Sequence, residues 1–140
     1  MNRNRKLMNE LEAKFSDYNN YETYINKQML ALTVDQRDEN TGGGKSNIPG
    51  RPTERVAMLA AQDEYIQNCR KYQRAVESVL DELGETERGL VEDRYWGTCS
   101  WMTWKEFAQE KHYSTSSMSR LKQKILLSFG RKINRIGKWE

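Results

Sequence analysis

The sequence GGGKS, Gly42 to Ser46, ends as a phosphate-binding loop of the pattern G-x-x-x-x-G-K-[ST] ends, with a lysine and a hydroxyl suited to a nucleotide's phosphates. Position and context both speak against that use. The first glycine of the pattern belongs at residue 39, which is Glu. A P-loop also needs a buried strand before it and a helix directly after it, so that backbone N–H groups converge on the phosphates. Thr33 to Asp38 is too polar for such a strand, and Pro49 and Pro52 block a helix that would follow at once. A glycine-rich linker explains the stretch without any ligand.

The second chemical constellation is Ser114-Thr115-Ser116-Ser117-Met118-Ser119-Arg120, followed by Gln123, Lys124, Arg131 and Lys132. Hydroxyls near a helix N-terminus bond phosphates or base edges. A guanidinium at Arg120 reaches the O6/N7 pair of guanine in bidentate fashion. Lys122, Lys124, Arg131, Lys132, Arg135 and Lys138 add charge for phosphate contacts, whose contribution falls as salt rises. No catalytic, metal or cofactor set competes with this reading. One His and two distant Cys do not complete a zinc site. Ser, His112 and acids never gather as a triad, and His112 reads as a turn residue. Paired carboxylates such as Asp81/Glu82 and Glu92/Asp93 read as charged helix surface. The chain is therefore expected to be no enzyme and to need no cofactor.

Composition and periodicity make the positioning elements helical. Two prolines, few valines and many Glu, Lys, Arg, Gln and Leu favour helix over strand. Residues 4–32 read as helix in two pieces: Met8, Leu11, Phe15 and Tyr18 share one face, Asp17 to Asn20 interrupts it weakly, and Ile25, Met29 and Leu32 resume it. Residues 33–52 read as loop, glycine-rich over 38–52. A long helix then runs from a Thr53 cap to about Leu83, ended by Gly84. Its seam is Met58, Tyr65, Cys69, Tyr72, Val76, Val79 and Leu83, broken by Gln62 and widened by Val56, Leu59, Ile66 and Leu80. An intramolecular hairpin with the N-terminal helices and a dimer interface both satisfy that stripe.

Three shorter helices follow. The first spans Thr86 to Trp96, capped by Thr86, with Leu90, Val91 and Tyr95 inward. The second spans Thr103 to Lys111, where Thr103-Trp104-Lys105-Glu106 is a capping box and Trp104, Phe107 and Ala108 form the buried side. After the turn His112-Tyr113-Ser114, the third starts behind a Ser114 cap, buries Met118, Leu121 and Ile125, and extends past Gly130 towards Phe129, Ile133 and Ile136. Two short helices with a tight turn, the second basic and hydroxyl-rich, form a helix-turn-helix. Ala108 permits close approach of its helices, and Tyr113 is expected to plug the angle between them. The outward face of the second helix then carries Thr115, Ser116, Ser119, Arg120 and Gln123. The reading is all-α, with a helical hairpin and long central helix over 1–84 and a DNA-binding unit over 85–140 whose recognition helix covers 115–126. Trp96, Trp101, Trp104 and Trp139 read mostly as core, with Trp101 and Trp139 the two suited to exposure.

Charge sharpens the partner class. Residues 53–102 hold 6 Lys/Arg against 10 Asp/Glu, whereas residues 103–140 hold 9 against 3. A basic C-terminal quarter fits a polyanion or a solvated helix, and charge alone does not separate the two. Charged residues are 31% of the chain, and the mean hydropathy is −0.96. No apolar run approaches the roughly 20 residues of a membrane span, and MNRNRKLMNELEAKF has no signal core. Cys69 and Cys99 read as isolated thiols in a reducing cytoplasm.

Thr103-Trp104-Lys105-Glu106-Phe107-Ala108, then Tyr113-Ser114, then Met118-Ser119-Arg120-Leu121, resembles region 4 of bacterial sigma-70 factors, the helix-turn-helix that reads the −35 promoter element. In that register Thr115, Ser116, Ser119 and Arg120 match base-facing positions. Lys111 replaces an apolar residue of the pattern and His112 a glycine, which implies a remodelled turn. No sigma region 2 precedes the unit, so promoter melting is not implied. The segment DENTGGGKSN with a following PTE, and Arg94-Tyr95-Trp96 ahead of the helix-turn-helix, resemble the RinA/ArpU family of phage and prophage transcriptional regulators. That resemblance implies a regulator of late packaging, morphogenesis and lysis genes, at the nucleoid in the cytoplasm of a bacterial host. Its implied partners are double-stranded DNA and, through the hairpin, either host RNA polymerase or a second copy. It also gives residues 38–52 a further use, in which Asn40, Gly42 and Gly43 take positive φ and Lys45, Arg51 and Arg55 touch phosphate or protein. A small terminase subunit, which joins a helix-turn-helix to an oligomerising helical region and marks DNA for packaging, is the rival class.

Overall fold

The computed structural model describes the backbone of residues 2–40 and 52–135, and the side chains of residues 4–34 and 54–135. Seven helices form among them: α1 (Asn2–Ser16), α2 (Tyr18–Asn40), α3 (Pro52–Gln62), α4 (Glu64–Glu82), α5 (Glu85–Trp96), α6 (Trp104–Lys111) and α7 (Thr115–Lys132). The described residues contain no strand, and the fold is all-α. Gly42 to Ser46, Arg51, Ile136, Lys138 and Trp139 lie outside the described residues.

Helix limits depart from the sequence expectation at four places, each with a local cause. The N-terminal break falls at Asp17 as expected, but α2 does not stop at 32 and runs on to Asn40. No Gly or Pro lies in that extension, and the Thr33 hydroxyl folds back on the Met29 carbonyl at 2.9 Å. Pro52 takes the first helical position of α3, which its fixed φ suits, so Thr53 lies inside the helix rather than capping it. The expected long helix is broken at Asp63. The Asp63 carboxylate accepts the Ile66 N–H at 3.0 Å and so acts as a new N-cap for α4. The Ala60 carbonyl near the break accepts the Gln67 side-chain amide at 3.0 Å. Thr86 is not a cap either: Gly84 holds that position without a side-chain bond, and Glu85 and Glu87 supply negative charge to the first turn of α5.

The chain divides into two compact units, Asn20–Lys71 and a discontinuous unit of Met1–Asn19 with Tyr72–Glu140. The division differs from the boundary expected at residue 84. In Asn20–Lys71, Tyr21, Ile25, Ala60, Ile66 and Cys69 are buried. Gln28 donates to both Asp63 carboxylate oxygens, at 3.2 and 3.3 Å, tying α2 to the α3–α4 junction. The expected seam is shifted here: Met58 and Tyr65 are exposed, while Ile66 fills the core in their place. The break at Asp63 resets the helical phase, so a single heptad register does not run through it.

The discontinuous unit exists because α1 belongs to the helix-turn-helix core. Leu11 and Phe15 are fully buried with Val76, Val91, Phe107 and Phe129. The Phe15 ring meets Tyr95, Trp96 and Phe129 at centroid distances of 5.1, 5.5 and 5.4 Å. One carboxylate then joins four helices. Glu12 Oε2 accepts the Tyr95 hydroxyl of α5 and the Trp104 indole N–H of α6, each at 2.8 Å. Glu12 Oε1 faces Lys122 Nζ of α7 at 3.6 Å. Burial first, and the Glu12 charge second, push the Tyr95 phenol far above its ordinary range and keep it a donor. The Trp96 indole N–H adds a bond to the Ser16 carbonyl at 2.9 Å.

Replacing Phe15 with Ala is expected to cost about 3–5 kcal/mol in urea unfolding followed by tryptophan fluorescence, through lost ring contacts and a core cavity. A cost below about 1 kcal/mol would make α1 an appendage rather than a wall of this core.

Candidate nucleic-acid interface

The α6–turn–α7 pair is built by caps at both ends of the turn. Thr103 accepts the Glu106 N–H at 3.1 Å, and the Glu106 side chain accepts the Thr103 N–H at 2.9 Å, which closes the expected capping box. His112 ends α6 in the left-handed region at φ 65°. There the N–H groups of His112 and Tyr113 return to the carbonyls of Gln109 and Ala108, at 3.2 and 2.9 Å. The glycine of the sigma pattern is thus replaced by a histidine that still adopts a glycine-like conformation. Ser114 accepts the Ser117 N–H at 3.0 Å and starts α7 as expected. α7 passes through Gly130 to Lys132 and is capped by Ile133, and the chain beyond it turns at a second left-handed residue, Asn134, at φ 63°.

Burial fixes which face of α7 turns outward. Met118, Leu121 and Ile125 are buried, as expected, together with Leu126, Phe129 and Gly130. Ala108 and Phe107 are fully buried opposite them. Tyr113 does not plug the interhelical angle, being 42% exposed. The left-handed turn at His112 carries it out of the core, and Met118 lies buried there instead. The exposed face carries Ser114, Thr115, Ser116, Ser119, Arg120 and Gln123, with Ser117 half-buried beside them and hydrogen-bonded to Ser114 at 2.8 Å.

The remaining expected contacts are placed differently. Lys124 is exposed but paired with Glu87 of α5 at 3.0 Å. Lys132 is half-buried and paired with Glu82 of α4 at 2.6 Å. Arg131 is exposed and engaged within the chain. Lys122 meets Glu12, and Arg135 meets Glu10 at 2.6 Å. Arg120, by contrast, has no ion-pair partner among the described residues. The structure thus brings the hydroxyls, Arg120 and Gln123 onto one open face and holds Lys122, Lys124, Lys132 and Arg135 against acidic side chains.

Sequence reasoning missed the supports behind this face. Glu12 carries no local signal, since its partners lie more than 80 positions away. Arg94 spreads over the Trp104 and Tyr95 rings at 5.0 and 5.5 Å. Arg94-Tyr95-Trp96 therefore joins α5 to α6 and α1 residue by residue. Lys111, the misfit to the sigma pattern, is accommodated by Asp93 at 2.8 Å and by the Phe107 ring beneath it at 5.8 Å. Trp101 is 73% exposed, as expected, just ahead of α6. The two cysteines are buried free thiols, and no helix of the described residues is long and apolar enough to cross a membrane.

The Lys111 ammonium, hydrogen-bonded to Asp93, holds that carboxyl below its ordinary value of 3.8, helped by hydrogen bonds from Cys99. A carboxyl depressed in the fold contributes stability that is present above its ordinary value and is lost as pH falls through its folded value. The wild-type urea midpoint should therefore fall more steeply between about pH 5 and 2 than that of Asp93→Asn. Parallel acid profiles would remove this ion pair from the forces that fix the turn.

No curated protein and no solved structure matches the chain. Over residues 8–129 it matches the family described as "Protein of unknown function (DUF722)", and to that family the chain belongs.

Proposed function

We propose that this protein is a sequence-specific DNA-binding transcriptional regulator, an activator of phage or prophage late genes, that enters the major groove with α7. The observation that carries this reading is the outward face of α7. A capped helix of 18 residues presents Thr115, Ser116, Ser119, Arg120 and Gln123 together. Its Arg120 guanidinium has no competing carboxylate among the described residues. Hydroxyls and an amide beside a free guanidinium suit base edges and phosphates, and have no packing role on that face. The turn that sets α7 against α6 is fixed from both sides, which supports a rigid reading head. The resemblance to sigma-70 region 4 and to the RinA/ArpU regulators supplies the promoter and the phage context.

Asn20–Lys71 supports a partner-binding role. Leu30, Val34, Met58 and Tyr65 are exposed there, a set of apolar side chains suited to a protein partner, host RNA polymerase or a second copy.

Replacing Arg120 with Ala should weaken binding to the specific site by roughly 1–3 kcal/mol while nonspecific binding holds. Equal loss on every sequence would make Arg120 a phosphate contact. The reading as a whole is tested by mapping DNA occupancy and transcript start sites during lytic induction. Occupancy just upstream of a start site that fires only with the protein present supports activation. Occupancy at a packaging site with no linked transcript would replace the regulator by a small terminase subunit.

A further inference from the structure

We infer that the DNA-facing surface of the helix-turn-helix unit is confined to the first turns of α7 through Gln123, and that Lys122, Lys124, Lys132 and Arg135 serve the protein's own carboxylates instead of phosphates. The inference rests on the DNA-binding reading and sets the extent and electrostatics of that contact.

The charges decide it. Lys122, Lys124, Lys132 and Arg135 each face a different acidic residue: Glu12, Glu87, Glu82 and Glu10, at 3.6, 3.0, 2.6 and 2.6 Å. Those acids come from α1, α4 and α5, so the pairs approach α7 from several helices. Glu82 is held twice, by Lys132 and by the Ser128 hydroxyl at 3.2 Å. The Lys132 hydrogen bond keeps its carboxyl below the ordinary carboxylate range, so it is ionised at neutral pH. Arg131 is engaged as well. Arg120 alone among the cations from Arg120 to Arg135 has no intramolecular partner among the described residues.

Exposed pairs of this kind add little to stability, and a lysine such as Lys124 leaves one easily. Leaving does not help DNA binding. The abandoned carboxylate stays on the same surface and faces the polyanion with its full charge. A pair of opposite charges displaces no net counterion from DNA, so it adds nothing to the salt dependence of binding. Each true phosphate contact adds roughly 0.9 to the slope of log Kobs against log salt. Six phosphate-bound cations would give a slope near −5, an affinity loss of about 1,000-fold between 50 and 200 mM salt. One or two give about 3- to 12-fold.

The experiment uses the full chain and a mixed-sequence DNA duplex, with affinity measured from 50 to 200 mM salt. Two pair-reversal variants, Glu87→Lys with Lys124→Glu and Glu82→Lys with Lys132→Glu, preserve net charge and pairing but move the cations off α7. Circular dichroism confirms that each stays helical. A slope shallower than about −3, unchanged in both reversals and in Arg120→Gln, is the expected result. A steeper slope, or a slope that falls by about 1 in either reversal, overturns the inference and leaves the DNA-binding reading standing. No binding at 50 mM salt to any fragment of a pooled library of phage and host DNA overturns both.

Discussion

The carboxylate of Glu12 is the point on which the helix-turn-helix unit depends. It accepts hydrogen bonds from Tyr95 and Trp104, on α5 and α6, and faces the Lys122 ammonium of α7. Each of those helices is short or amphipathic and buries only part of its surface against any one neighbour. A charged acceptor with several donors is stronger than neutral bonds would be, and its satisfaction demands that all four helices be in place at once. The apolar wall that Leu11 and Phe15 build beside it supplies the burial. Glu12 supplies the register. This is why α1, at the far end of the chain, belongs to the unit that carries α7.

What was legible in the sequence was what short-range physics decides. The Thr103–Glu106 capping box, the Ser114 cap and the inward row Met118, Leu121, Ile125 each follow from neighbours within a few positions, and each is present. The Asp17 interruption and the exposure of Trp101 also follow from local composition. The misses share a different cause. Asp63 falls inside the expected long helix. Its side chain competes for a backbone N–H as an N-cap does, and that alone splits the expected long helix. Tyr113 looked like a plug because apolar rings favour interiors, yet the left-handed residue before it sets its direction. The docking of α1 had no local trace, because Glu12 and its partners are distant in sequence and meet only in the fold.

Charge counted along the chain omits where its partners lie. Set against the acidic stretch 53–102, the basic stretch 103–140 fits a polyanion or a solvated helix when read from charge alone. In the fold they neutralise one another: Glu82, Glu87 and Asp93 of the first hold Lys132, Lys124 and Lys111 of the second. A segment's net charge measures its field only when its charges lack partners nearby. The candidate site was legible at Thr115, Ser116, Ser119, Arg120 and Gln123 because helical periodicity assigns them to the face opposite the core. The ion pairs of Lys124 and Lys132 were not legible, because they depend on where α4 and α5 pack.

The same neutralisation explains how a small unit keeps one face of α7 distinct from the rest. The ion pairs to α1, α4 and α5 gather along its middle and C-terminal turns and extend to Arg135, and the buried row runs beneath them. The N-terminal turns have no such braces. They are held by the Ser114 cap and by the left-handed turn at His112, while the Lys111–Asp93 bridge ties the end of α6 to α5. A helix clamped at one end and open at the other presents its hydroxyls, Arg120 and Gln123 at a defined angle without closing them off. Preorganisation of that kind lowers the entropy lost when a ligand orders those side chains. On the proposed DNA-binding reading, it also places selectivity in a few neutral donors and a single guanidinium rather than in a diffuse positive field.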